Sequence, residues 1–75
     1  HQICGQTFAN GTLYALTTED ERTRDYWITR IDQSNGAVRF EDVARVPFHA
    51  RALAFDGKNF WTNHREAHEI VTVAL

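Results

Sequence analysis

The sequence predicts an all-β fold made of antiparallel meander sheets. Short runs with alternating apolar and polar residues recur along the chain, and β-branched and aromatic residues are common in them. Tight-turn signals separate the runs. The clearest are Asn10-Gly11 and Asp56-Gly57, because Gly tolerates positive φ and Asn or Asp bonds locally to the backbone. Each of these dipeptides predicts a β-hairpin.

The first half of the chain contains three predicted strands. The first two flank the Asn10-Gly11 turn, and the second of them alternates regularly. Thr18 and Glu21 match a helix capping box, but no apolar run follows them, so residues 18–24 are predicted to form a loop. The third run is rich in aromatic and β-branched residues, which favour strands. The three strands cover residues 3–8, 12–17 and 26–32.

The second half of the chain contains four more predicted strands. In the fourth run the apolar positions change parity between Phe40 and Val43, which predicts a bulge near Glu41 and Asp42. Pro47 ends this run, because proline has no N–H to donate to a ladder. The next two runs flank the Asp56-Gly57 turn, and a last apolar run closes the chain. These strands cover residues 37–46, 51–55, 59–63 and 69–75.

The last segment has an alternative interpretation as a helix. Asn63 is a possible helix cap with Glu66 at the reciprocal position, and the apolar residues after it fit helical spacing. The consecutive β-branched residues 70–73 favour a strand instead.

Composition indicates one soluble globular domain. The chain has 75 residues, 8 Lys and Arg against 10 Asp and Glu, and a formal net charge of −2. This balance does not suggest a nucleic-acid-binding surface, and no apolar run is long enough for a membrane span. Cys4 is the only cysteine, so no internal disulfide is expected, and without a signal peptide a cytoplasmic location is favoured. A start at His1 with no Met anywhere indicates a trimmed, processed or excised chain.

The chain also repeats itself. Phe8, Leu13 and Tyr14 are matched by aromatic residues 47 positions later, at 55, 60 and 61. Ile28 and Ile31 are matched 42 positions later, at 70 and 73. Periods of roughly 40–50 residues with four strands each are typical of propeller blades. The pattern predicts about two propeller-like blades, residues 3–46 and a partial copy at 51–75.

The run Leu53-Ala54-Phe55-Asp56-Gly57 followed by Phe60-Trp61 resembles β-propeller repeats in general. The chain also resembles the C-terminal part of olfactomedin-type propellers. The matching pieces are Ile3-Cys4-Gly5, Leu13-Tyr14-Ala15, Val46-Pro47-Phe48, and Phe60-Trp61 with Glu69-Ile70-Val71-Thr72-Val73.

That resemblance implies a blade architecture but not a metal site. The family's cysteine near this position pairs with a distant partner that this sequence lacks. The acidic metal ligand expected at the start of the second blade falls on Ala54. No metal or other cofactor is therefore expected.

In a propeller, three loops of this chain lie on the same face, at residues 18–24, 48–51 and 64–68. Cationic and aromatic side chains there are suited to an anion, a carbohydrate or a protein surface. This favours a non-enzymatic binding or interaction module; the alternative interpretation of these loops is an ordinary polar rim. The candidate ligand-binding residues are His49, Arg51, Trp61, His64, Arg65 and His68.

Two other functions stay open from the sequence. One is a metal-assisted hydrolase that uses His64 and His68, with Glu66 or Glu69 as the base, although the order His-Arg-Glu-Ala-His differs from the His-Glu-x-x-His motif. The other is a purely structural role as a fragment of a larger propeller.

Self-association is also predicted. Incomplete blades leave unpaired sheet edges, and an aromatic face with Trp27, Phe40, Phe55 and Trp61 is too large to be covered within so short a chain. The expected assembly is a homo-oligomer of about two to four chains, with residues 69–75 at or near the interface.

Overall fold

The computed structural model describes residues 2–34 and 36–73, and over these ranges the protein is all-β, without a helix. The prediction of an all-β fold with antiparallel sheets is therefore confirmed. The strands are β1 (Gln2–Ala9), β2 (Thr12–Thr18), β3 (Tyr26–Ser34), β4 (Ala37–Val46), β5 (Leu53–Phe55), β6 (Phe60–His64) and β7 (Glu69–Val73). No helix within the described ranges is long and apolar enough to cross a membrane.

The strands form two meander sheets in which each strand pairs with its neighbour in sequence. The first sheet has the order β1-β2-β3-β4, and the second sheet has the order β5-β6-β7. Both predicted hairpin turns adopt left-handed backbone conformations, with φ of 52° at Asn10, 81° at Gly11 and 99° at Gly57. Meander order follows from these short connections, since antiparallel neighbours need only a tight turn between them.

The Asp56 side chain organises the second of these turns. Its Oδ1 accepts hydrogen bonds from the backbone N–H groups of Lys58 at 2.9 Å and Asn59 at 2.7 Å, and its Oδ2 accepts one from Trp61 Nε1 at 2.6 Å. These donors lower the pKa of the Asp56 carboxyl, with the Asn59 N–H contributing most. The turn is thus held by a side chain as well as by the flanking strands.

The last segment is a strand, as the β-branched run predicted, and the helical alternative is wrong for the described residues. β7 pairs with β6 from Glu69 to Val73, and residues 74 and 75 lie outside the described ranges. The connection over residues 65–68 is a single turn, with His68 at φ 56°. Ladder pairing with β6 therefore decides the conformation that local spacing left open.

Two details of the strands differ from the sequence prediction. The bulge in β4 lies at Val43, one residue beyond the expected position, because Ala44 pairs with Ile28 while Asp42 pairs with Thr29. β5 begins at Leu53 rather than at residue 51. The reason is that the N–H groups of residues 51 and 52 both donate to the Asn63 side chain, at 2.8 and 2.9 Å, instead of to a strand.

The core lies between the two sheets. Leu16 and Ile28 of the first sheet are fully buried, and Leu53 and Phe60 of the second sheet are 7% and 6% exposed. The rings of Tyr14 and Phe60 meet edge to face, with centroids 4.8 Å apart. The buried apolar residues that pack together in this core are Ala9, Leu16, Tyr26, Ile28, Val46, Ala50, Leu53 and Phe60.

Gly5 is the point of closest approach between the sheets. A Cβ placed on Gly5 meets the backbone of the segment that enters β5, at 3.1 Å from Leu53 N and 3.2 Å from Ala52 Cα. Such distances are tighter than ordinary van der Waals contact, and the neighbouring atoms are backbone rather than a flexible side chain. A side chain at this position forces the two backbones apart.

We therefore expect Gly5→Ala to lower the free energy of unfolding by about 1–3 kcal/mol, the usual cost of overpacking a close contact. The loss is expected even though alanine is otherwise the better strand residue. Urea unfolding monitored by tryptophan fluorescence measures it. Gln6→Ala, an exposed neighbour on the same strand, is the control and is expected to change stability by about 0.5 kcal/mol or less. Equal stability of Gly5→Ala and wild type contradicts the close approach.

Candidate functional site

Three loops meet at one end of the two sheets. They follow β2 (residues 19–25), β4 (residues 47–52) and β6 (residues 65–68). The N–H of Arg65 donates to the carbonyl of His49 at 3.0 Å, which joins the second and third loops through their backbones. Side chains of the first loop form ion pairs with side chains of the other two loops.

Two arginine–glutamate pairs connect the sheets at this end. Arg24 Nε donates to Glu66 Oε1 at 2.9 Å and Arg24 Nη2 donates to Glu66 Oε2 at 2.6 Å, so the pair is bidentate. Arg51 Nη1 donates to Glu21 Oε1. Both pairs are partly exposed to solvent, so each contributes little to stability by itself. As a result of these pairs, the carboxylates of Glu66 and Glu21 each already have an arginine partner.

Glu21, His49, Arg65 and Glu66 line a shallow depression of about 400 Å³ between the loops. Because Arg51 and Arg24 already contact the two glutamates, neither glutamate is left as an ion-pair partner for Arg65. Within the described residues, no carboxylate lies within 4.0 Å of the Arg65 guanidinium.

Aromatic packing holds the two histidines of this end. The imidazole of His64 stacks on the ring of Phe48, with centroids 4.2 Å apart and planes inclined by 11°. The imidazole of His49 meets the buried ring of Tyr26 edge to face, at 5.9 Å. The loop after β4 is thereby fixed against both sheets, in addition to the two hydrogen bonds that Asn63 accepts from it.

The loop after β2 is stabilised by hydrogen bonds between its own residues. The buried hydroxyl of Thr18 donates to the carbonyl of Asp25 at 2.9 Å, which closes the base of the loop. Asp20 Oδ1 accepts a hydrogen bond from the Arg22 N–H at 2.9 Å, and the Arg22 side chain lowers the pKa of the Asp20 carboxyl. A short turn with its own side-chain bonds is suited to presenting fixed charges.

Cys4 lies beside this end, and its surroundings keep the thiol protonated. Its Sγ is 3.9 Å from Glu21 Oε1. Burial, and secondarily the charge of Glu21, raise the pKa of the thiol, and Arg51 opposes them only in part. A thiolate is the reactive form of cysteine, so this environment does not favour nucleophilic chemistry.

The structure separates the residues that the sequence grouped. His49 and Arg65 line the depression, and Arg51 lies beside it through Glu21. His68 lies with His64 in a second hollow of about 320 Å³ along the β6–β7 turn, and Arg65 lines this hollow as well as the depression. Trp61 is not brought to the loops, because its indole N–H is bound to Asp56 at the opposite end of β6.

Sequence reasoning missed the roles of Glu21, Glu66 and Asn63. Their partners lie 30, 42 and about a dozen positions away, at Arg51, Arg24 and the backbone of 51–52. The signal available in the sequence was the near balance of opposite charges in the loops, which does not specify pairs. Only the packing of the two sheets decides which side chains meet.

The described residues contain no group of three or more His, Cys, Asp or Glu side chains placed to hold a metal ion. His64 Nδ1 accepts a hydrogen bond from the Ala67 N–H at 3.2 Å, which uses one of its two possible ligand atoms. The two histidines lie at the ends of a turn and not on one helical face, so the spacing that suggested a metal ligand pair does not apply.

Comparison with models of known protein families, with curated protein sequences and with solved structures gives no match to this chain.

The Arg24–Glu66 pair predicts how stability depends on acid. The Arg24 guanidinium lowers the pKa of the Glu66 carboxyl from 4.5 to about 2. Since the folded pKa is depressed, the stabilisation is fully present above pH 4.5 and is lost as the pH falls through about 2. We expect Arg24→Gln to make the decline of the urea midpoint between these pH values less steep than in wild type.

Arg39→Gln is the control for this experiment, because Arg39 contacts no carboxylate among the described residues. It is expected to keep the acid dependence of wild type. A profile for Arg24→Gln that is parallel to wild type over the same pH range contradicts the assignment of the Glu66 shift to Arg24.

Proposed function

We propose that the protein is a non-enzymatic binding module whose ligand is a small molecule with a carboxylate or similar anionic group, bound in the depression between the three loops. The observation that carries the proposal is the Arg65 guanidinium. Arg65 lines a depression whose two carboxylates are each already bound by another arginine. A ligand carboxylate supplies the acceptor that Arg65 does not find within the described protein.

The charges next to the depression include three arginines, Arg24, Arg51 and Arg65, and two glutamates, Glu21 and Glu66. Over the three loops as a whole, four arginines oppose five Asp and Glu residues, so support for an anion comes from Arg65 itself and not from a net positive charge. Arginine is suited to the task because its planar guanidinium donates two parallel hydrogen bonds to one carboxylate. The ion pairs next to it orient the other charges without cancelling this one.

The scaffold supports binding over catalysis. The loops are tied to each other and to two sheets, so the backbone that carries the donors is held in place before a ligand arrives, which lowers the entropic cost of binding. His49 supplies a second hydrogen-bonding group on the wall of the same depression. The thiol of Cys4, 3.9 Å from Glu21, has a raised pKa, so its reactive thiolate form is disfavoured.

Arg65→Gln tests the proposal. The side chain is exposed, so the change removes the charge without disturbing the core. Citrate and succinate serve as probes, with affinity measured by isothermal titration calorimetry at low salt. We expect association to weaken by up to about fivefold in Arg65→Gln, since an ion pair at an exposed site is worth at most about 1 kcal/mol.

Arg39→Gln is the charge-matched control, because it removes the same charge from β4 and is expected to bind as wild type does. His49→Ala is expected to weaken binding as well. Equal affinity of wild type and Arg65→Gln, or equal weakening by Arg65→Gln and Arg39→Gln, contradicts a site in the depression.

A further inference from the structure

The internal repeat places equivalent residues at equivalent points of the two sheets. Phe8 pairs across the first hairpin with Leu13, and Phe55 pairs across the corresponding hairpin with Phe60, 47 positions later in each case. The sequence repeat is therefore also a repeat of strand register.

The repeat makes the buried inner face of the second sheet equivalent to the exposed outer face of the first sheet. Cross-strand partners project to the same side of a sheet and successive residues to opposite sides. The inner face of each sheet is the side toward the other sheet. Phe60 is on the inner face of the second sheet and is 6% exposed. Its equivalent, Leu13, shares the outer face of the first sheet with Phe8, which is 68% exposed.

The buried inner face of the first sheet is likewise equivalent to the exposed outer face of the second sheet. Ile28 lies on the inner face of the first sheet and is fully buried by the second sheet. Its equivalent, Ile70, lies 42 positions later on the outer face of the second sheet and is 69% exposed. Equivalent apolar residues thus differ in burial according to whether a sheet covers them.

The outer face of the first sheet carries a row of apolar side chains, next to a polar group in which Thr17, Thr29 and Asp42 are hydrogen-bonded to one another. Phe8, Leu13, Ile31 and Phe40 follow one another across its four strands as cross-strand partners. Beside this row is a hollow of about 200 Å³ with mostly apolar walls, lined by Ile3, Thr17, Ile31 and Phe40. The residues Ile3, Phe8, Val38 and Phe40 of this face are 55, 68, 50 and 60% exposed.

We infer that this face binds the outer face of the second sheet of another copy of the chain, in a head-to-tail arrangement. The contact within one chain is the template. There, Tyr14 of the first sheet packs on Phe60 of the second. The repeat replaces Tyr14 by Trp61 and Phe60 by Leu13, so Trp61 of one copy packs on Leu13 of the next copy.

The geometry of the two faces supports this pairing over a symmetric one. The contact within one chain joins two different faces, the face of the first sheet that carries Tyr14 and the face of the second sheet that carries Phe60. The repeat places the equivalents of these two faces on the outside of the molecule, with Trp61 on the second sheet and Leu13 on the first. A head-to-tail contact therefore continues an interface that already exists within the chain. Such a heterologous contact forms a ring if the rotation closes and a filament if it does not.

Self-association, which the sequence predicted in part from unpaired strand edges, is here assigned to exposed sheet faces. Ile70 and Thr72 of β7 are in the contact through their side chains, because they share the outer face of the second sheet with Trp61. The open edge of β7 is not required. The inference does not rest on the proposed ligand site, since the two surfaces involve different residues.

Two variants test it. Phe8→Glu places a charge on the outer face of the first sheet, and Ile70→Glu does so on the outer face of the second. Both side chains are mostly exposed within one chain, so both variants are expected to fold, which circular dichroism checks. Light scattering after gel filtration at micromolar concentration is expected to give an assembly for wild type and a monomer for each variant.

The mixture of the two variants is the decisive sample. Phe8→Glu retains an intact outer face on its second sheet, and Ile70→Glu retains one on its first sheet. The mixture is expected to form a one-to-one dimer that does not grow. Arg22→Glu, at a loop side chain that is 90% exposed, is the control and assembles as wild type does.

Other outcomes overturn the inference. A wild type that stays monomeric excludes the contact, and association of Ile70→Glu alone indicates first-sheet faces packed on each other. Association of both single variants indicates pairing through strand edges. If a variant fails to fold, Phe40→Glu and Thr72→Glu on the same two faces replace the pair.

Discussion

The structure depends on the close packing of two small sheets, and most directly on the approach of the β1 backbone to the segment that enters β5 at Gly5. A chain of this size buries only about 60–65% of its unfolded surface, so neither sheet has a core of its own. The shared core exists because the inner faces interdigitate around Leu16, Ile28 and Phe60. A glycine at the contact lets the backbones come close enough for those side chains to meet.

The same contact creates the polar end of the molecule. Because β1 lies beside β5, the loop that follows β2 is brought next to the loops that flank the second sheet. Arg24 and Glu66 then meet across the sheets, as do Arg51 and Glu21. These exposed pairs contribute little to stability, but they leave Arg65 as the arginine of this end that has no ion pair among the described residues. The chemistry of the depression is in this sense a consequence of sheet packing.

At equivalent positions of the repeat, burial of large apolar side chains depends on whether the other sheet covers them. Equivalent positions of the repeat carry similar apolar side chains, yet Ile28 is fully buried and Ile70 is 69% exposed. An exposed apolar face of this kind is unusual for a chain that remains alone in water, where large apolar patches commonly mark interaction surfaces. Sheet repeats share this property, since each unit buries one face only against its neighbour.

The sequence by itself determined the strands and their turns. Asn10-Gly11 and Asp56-Gly57 fix hairpins through local backbone chemistry, and the β-branched run 70–73 identifies β7, because these signals act between near neighbours in the chain. The antiparallel meander follows from the short connections. All of these features depend on residues that are a few positions apart, so they can be predicted without knowledge of packing.

Tertiary structure alone decided the features that involve distant residues. The bulge lies at Val43 because of the register of β3 against β4, and β5 begins at Leu53 because Asn63 takes the N–H groups before it. Trp61 is directed to Asp56 and not to the loops. The pairing of Glu21 and Glu66 with arginines 30 and 42 positions away could not be predicted, because charged residues in loops have many possible partners until two sheets pack and leave only one within reach.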